Sequence, residues 1–98
     1  MLIPYGYAQN EVGAITLNLE QAMIVSQIYD LYLQGKSLGG IVDALKERGI
    51  PSPTGKQVWA RATIDKTLSN GKYVPHVIPE VQFWEAQIEK ERRTNMNE

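Results

Sequence analysis

The chain has 98 residues, 43% of them apolar, and a formal net charge of −1, which is one domain's worth of sequence with a modest core. The absence of cysteine excludes disulfides and thiolate metal sites, and one histidine, His76, builds no metal site alone. No apolar run approaches the roughly 18 residues of a membrane span, and Met1 to Gly6 lack the basic lead and apolar stretch of a secretory signal. A soluble, cytoplasmic protein with no cofactor and no membrane partner is expected.

Residues 2–17 read as a β-hairpin: Ile3, Tyr5 and Tyr7 alternate with smaller residues, Ile15 and Leu17 alternate on the return, and Asn10 to Gly13 supply turn chemistry. A lone hairpin is marginal in water, so it must pack on the rest of the chain. Asn18 is an N-cap, and Gln21, three residues on, suggests a capping box. A spine helix over 18–35 follows, closed by Gly35. Ala22, Val25, Tyr29 and Tyr32 lie on one side of it and Ile24, Ile28 and Leu31 on the next, so it should be mostly buried. Tyr29 and Tyr32 are either core residues or, in a single-strand binder, stacking platforms.

Residues 37–73 organise the chain, as helix, wing-like loop and helix. Leu38, Ile41, Val42 and Leu45 form one buried stripe, Ser37 is the N-cap, Gly49 supplies a left-handed end and Pro51 stops the helix. Gly39 and Gly40 weaken its first turn, at about 1 kcal/mol each relative to alanine. Either the start is frayed, or a close partner needs the missing side chains, in which case glycine amides at a helix N-terminus would suit a DNA phosphate. The loop 50–59 is rich in Pro, Gly and Ser. Trp59 anchors the second helix, which runs from Ala60 to about Asn70 with Ile64 and Leu68 on its back. Its polar front carries Arg61, Ala62, Asp65, Lys66 and Ser69. An apolar back and a polar front on a short helix suit insertion into a DNA major groove. Asp65 either accepts from cytosine or pairs with Arg61 at i, i+4. Thr54, Lys56 and Gln57 of the loop and Lys72 after the helix complete the candidate DNA-binding set. The last helix spans 79–93, opened by Pro79 and Glu80. Val81, Trp84 and Ile88 form its inward stripe with Phe83 and Gln87 beside it, Trp84 acting as a core plug. Its charged residues form a solvated face, from which Arg92 and Arg93 can add phosphate contacts. Residues 94–98 are expected to be a disordered tail.

The small net charge argues against a strong nucleic-acid binder, but its distribution does not. Residues 1–34 carry three acids and no Lys or Arg, residues 35–75 carry seven cations against three acids, and residues 76–98 carry three cations against five acids. The cations thus concentrate where the two helices and their loop fall. The fold class that results is α+β, mainly α: a helical domain containing a helix-turn-helix, with a small N-terminal β-hairpin.

Ile3 to Tyr7, Ile28 to Tyr32 with Gly35 to Leu38, Leu45 to Pro53, Trp59 with Thr63, Ile64 and Leu68, and Asn70 to Tyr73 together resemble the recombinase domain of large serine site-specific recombinases. These are the integrases, invertases and transposases of phages and mobile elements. The resemblance covers nearly the whole chain and rests on the ordered set. It implies a DNA-binding domain that follows a serine catalytic domain and precedes a zinc-bearing one. Neither neighbour lies in these 98 residues, so a piece of a longer protein is expected, with double-stranded DNA and those two domains as partners and the isolated piece monomeric. The chain departs from the family pattern at Gly39 and Gly40, at Ala60, where serine is usual, and at Pro75, where glycine is usual. The short path from Tyr73 to the last helix implies a compact variant.

The leading functional reading is a module that docks a recombinase on its attachment site without cutting DNA itself. Ser26, Ser37, Ser52 and Ser69 have no arginine-rich catalytic setting. The alternatives are a stand-alone helix-turn-helix transcription regulator, which would need a dimer surface, and a protein-interaction domain. A tyrosine recombinase would need several basic groups around its nucleophile, which scattered arginines and His76 do not supply.

Overall fold

The computed structural model describes residues 3–96. Two three-residue strands, β1 (Tyr7–Gln9) and β2 (Ile15–Leu17), pair antiparallel, with Tyr7 opposite Leu17 and Gln9 opposite Ile15. Asn10 builds the turn: its side-chain carbonyl accepts from the amides of Val12 and Ala14. The ladder starts later than the alternation from Ile3 suggests. Pro4 has no amide to donate, and the chain turns at Gly6, whose φ of +100° is open to glycine at little cost. Gly6 is also pressed against the body of the protein, since a Cβ there would sit 3.1 Å from the Tyr73 ring. Leu2, at the edge of the expected hairpin, lies outside the described residues.

So short a hairpin is held by its aromatic residues. Tyr7 stacks on Tyr73 with ring centroids 6.1 Å apart, and its hydroxyl donates to the Lys72 carbonyl. Tyr5 meets Trp59 edge to face at 5.5 Å.

Helix α1 (Leu19–Leu33) is capped by Asn18, whose side chain accepts from the Gln21 amide at 3.1 Å. The capping box does not close. The Gln21 side chain instead accepts from the Gly6 amide at 2.9 Å, and the Asn18 amide donates to the Gly6 carbonyl. These two bonds stitch the hairpin to the helix, a use for Gln21 that local spacing does not show. Val25, Ile28 and Tyr29 are fully buried, while Ala22, expected inside, is half-buried. Tyr29 and Tyr32 are core residues: the Tyr29 hydroxyl donates to the Thr67 carbonyl at 2.9 Å, and both rings are shut off from any base. Gly35, at φ +104°, ends α1 in a Schellman motif, with amides of Gly35 and Lys36 returning to the carbonyls of Tyr32 and Leu31.

Helix α2 (Leu38–Glu47) follows the sequence pattern. Ser37 caps it by accepting from Gly40, Ile41 and Leu45 are buried, and Leu38 and Val42 flank them. Gly49, at φ +68°, closes a second Schellman motif through the Gly49–Lys46 and Ile50–Leu45 bonds. Residues 48–60 then form the connection to α3 (Arg61–Leu68), longer than the three to four residues of a tight helix-turn-helix. Trp59 is 2% exposed and donates from Nε1 to the Ile50 carbonyl, which fixes the loop across its neck. Ile64, Thr67 and Leu68 form the buried back of α3, and a single 3-10 turn (Gly71–Tyr73) follows.

Helix α4 (Glu80–Met96) packs on α1 and α3 with a different face from the one its apolar residues suggest. Val81, Trp84 and Ile88 are 70%, 56% and 65% exposed, so Trp84 plugs no core. The inward face is Phe83, Ala86, Gln87, Lys90 and Arg93, three of them polar. These polar groups cap backbone carbonyls of the helices beneath. Gln87 reaches Leu68 O at 2.6 Å, and Arg93 reaches Tyr32 O and Lys36 O at 2.9 and 2.8 Å. Residues 94–96, expected in a disordered tail, continue the helix; residues 97 and 98 lie outside the described residues. No helix among the described residues is long and apolar enough to cross a membrane.

Candidate nucleic-acid interface

Helix α3 has eight residues, about 12 Å of helix, so its outward face is small and its flanks matter. Ala62 and Lys66 stand at the centre of that face, opposite the buried Ile64, Thr67 and Leu68. Arg61, Asp65 and Ser69 lie along one edge, toward α2 and α4.

Along that edge the five expected front residues part company. Asp65 does not pair with Arg61; its carboxylate bonds Lys90 of α4 at 2.9 Å. Ser69 also accepts from Lys90, so two of the five are engaged by α4. Arg61 instead lies across the first turn of α2. A Cβ on Gly39 would stand 2.9 Å from Nη2, 3.3 Å from Cζ and 3.5 Å from Nε of Arg61. This accounts for one of the two unexpected glycines: the space a side chain would fill at Gly39 holds the Arg61 guanidinium. Gly40 has a milder reason, a Cβ there lying 3.3 Å from the capping Ser37 hydroxyl.

Thr54 and Lys56 line a cleft of about 170 Å³ with Ala60 and Thr63, so they border the start of α3. Gln57 faces away from them, into a separate cleft of about 380 Å³ with Lys46, Gly49 and Pro51. Lys72 sits in the 3-10 turn beyond the other end of α3, exposed, with its backbone carbonyl held by Tyr7. The candidate set is therefore not one cluster. Arg61, Ala62 and Lys66 form its centre, Thr54 and Lys56 one border and Lys72 the far end, while Gln57 belongs to the α2 side. His76 is exposed, in the chain segment before α4.

Two residues join this surface that sequence reasoning passed over. Lys36 stands just before α2, its stem 3.7 Å from where a Gly40 Cβ would be, so it flanks the same turn as Arg61. Thr63 lines the Thr54–Lys56 cleft. Neither carries a local signal: Lys36 is distant in sequence from α3, and Thr63 differs from any helical threonine only by where the loop lies.

The electrostatics divide sharply. Among the described residues the ion pairs are Lys90–Asp65, Arg92–Glu89 and Arg93–Glu89, all made by cations of α4. The hydrogen bonds from Arg93 and Arg92 hold the Glu89 carboxyl below its usual range. None of the cations from Lys36 to Lys72 makes an ion pair among the described residues, and Arg61, Lys66, Lys56 and Lys72 are all exposed. Among those residues no group of three or more His, Asp or Glu side chains is placed to hold a metal. No solved structure matches the chain. Residues 19–97 match the model of the Recombinase family, which takes in all four helices, and the chain belongs to that family.

Proposed function

We propose that this chain is a double-stranded DNA-binding domain of a serine site-specific recombinase, docking the enzyme on its attachment site while a separate catalytic domain of the same parent protein cuts the strands. The observation that carries the reading is the exposed cations around α3: Arg61 and Lys66 on the helix, Lys56 on the loop border and Lys72 at its end, none of them in an ion pair among the described residues. Exposed cations that spend no charge internally are available to phosphates, whose neutralisation releases counterions. Arg61 is the base-reading candidate, since a guanidinium meets guanine O6 and N7 with two parallel bonds. Lys66 and Lys56 supply phosphate contacts that position without reading.

The test is a shift assay on duplexes selected from a random-sequence pool, run across a salt series. Arg61→Ala is expected to cost about 1–3 kcal/mol on selected sequences and to relax preference at one position. Lys66→Ala is expected to weaken binding to all sequences alike and to reduce the salt slope by about 1. A wild-type chain that retains no duplex at low salt, or whose affinity ignores salt, would overturn the proposal.

A further inference from the structure

Arg61 presents an unusual combination. Its guanidinium lies in the space of an absent side chain, close enough that Nη2, Cζ and Nε would all fall within 3.5 Å of a Gly39 Cβ. Yet Arg61 makes no hydrogen bond or ion pair within the described residues. A guanidinium has five N–H donors, and here none is spent on another described residue. A free arginine side chain loses on the order of 2 kcal/mol of rotamer freedom when it is ordered on a ligand. This one already lies in the space left open at Gly39.

The glycine is not explained by its own backbone. Gly39 has no left-handed φ, and it sits in the second position of α2, where alanine would favour the helix by about 1 kcal/mol. No backbone atom blocks a Cβ there; the three nearest atoms all belong to Arg61. The obstacle is the far end of a flexible side chain, which can swing away. A methyl group at residue 39 therefore spares the fold and displaces the guanidinium.

We infer that Gly39 is a positioning residue for DNA recognition: its missing side chain forms the seat that aims Arg61, so sequence preference depends on a residue of α2 that need not touch a base. This rests on the DNA-binding reading above, in which Arg61 reads a base. A recognition arginine gains from such a seat, because the guanidinium is placed while its donors are not spent on other described residues.

The experiment compares wild type, Gly39→Ala, Arg61→Ala and the double variant G39A/R61A on two probes. One is a duplex selected on the wild type from a random-sequence pool, and the other is a scrambled duplex of equal length. Thermal unfolding is followed in parallel. The expected G39A result is a melting temperature no lower than wild type, about tenfold weaker binding to the selected duplex, and unchanged binding and salt slope on the scrambled one. In the R61A background, Gly39→Ala should change neither probe by more than about twofold, because the residue acts only through Arg61. G39A binding of the selected duplex at wild-type strength would overturn the inference, as would an equal G39A loss with and without Arg61. A wild type that binds duplex but selects no sequence would overturn it as well; if the wild type retains no duplex at low salt, the DNA-binding reading falls instead, and the two failures are told apart.

Discussion

Arg93 bears more of the fold than its place in a charged run, Lys90-Glu91-Arg92-Arg93, suggests. Its Nη1 and Nη2 donate to the carbonyls of Lys36 and Tyr32, its Nε bonds Glu89 at 2.6 Å, and its Cζ lies 3.9 Å from the centre of the Tyr32 ring. One side chain thus closes the C-terminal end of α1 and fixes α4 on it, where a cation also complements the helix dipole. Arg93→Ala removes two charge-assisted bonds to carbonyls, worth about 1.5–3 kcal/mol each before water takes their place, an ion pair with Glu89 worth about 0–1 kcal/mol, and a cation–π contact worth about 0.5–2 kcal/mol. The side chain is 25% exposed, and Tyr32 O keeps bonds from the Gln34 and Gly35 amides, so part of that is regained. The net loss should be about 2–3 kcal/mol, out of the 5–15 kcal/mol typical of a domain. At this chain length that lowers the melting temperature by roughly 10–20 °C. Urea unfolding followed by circular dichroism measures it directly. Arg93→Lys keeps the charge but not the planar fork, and should recover less than half. Glu91→Ala, at an exposed position of the same helix, should stay within about 0.5 kcal/mol of wild type. An R93A variant as stable as that control would refute the account of α4 as a helix attached through polar caps.

Two further outcomes follow from the same contacts. Burial, with Tyr7 and Tyr5 as neighbours, pushes the Tyr73 hydroxyl up to about 12, and burial pushes Tyr29 higher still. Both groups hold their protons more tightly folded than unfolded, so their contribution is intact below pH 10 and is lost as pH rises from 10 toward 12; unfolding curves against pH should stay flat at neutral pH and fall steeply over that window. Lys90→Met keeps the stem and removes the ammonium that neutralises Asp65, so stability should drop by about 1 kcal/mol and duplex affinity should fall as an unpaired carboxylate appears beside Arg61 and Lys66; equal affinity for both proteins would show that Asp65 is remote from bound DNA.

What was legible in the sequence was local. Helix α2 announced itself because its stripe, its serine cap and its terminal glycine all act within a few residues, and α1 did so for the same reason. Asn18 was readable as a cap. Gln21 was not readable as a hairpin tie, because its partner Gly6 is brought near only by folding. Apolar periodicity picks the wrong face of α4 because Val81, Trp84 and Ile88 repeat at helical spacing. Only Phe83 and Ala86 of the inward residues are apolar, and the rest of that face works by bonding carbonyls at the ends of α1 and α3. The i, i+4 spacing offers Arg61 as one partner for Asp65, whereas its ion-pair partner lies 25 residues on, at Lys90. The candidate site was legible as a helix with a polar front. Which front residues stay free was decided by the helix packed beside it.

That last point explains how a chain of net charge −1 can still present a basic surface. The total is uninformative because the two signs are spread differently along the chain, residues 35–75 carrying seven of the cations against three acids. Three of the ten cations sit on α4, and each is bound to an acid there or on α3. The remaining seven lie between residues 36 and 72, and none makes an ion pair among the described residues. Helix α4 therefore serves α3 twice. Gln87 and Lys90 hold its C-terminal half, and the Lys90 ammonium offsets the one acid on its outward edge. A field at the surface depends on where the charges sit rather than on their sum. By that measure the front of α3 is basic, with Arg61 and Lys66 exposed and Asp65 offset by Lys90.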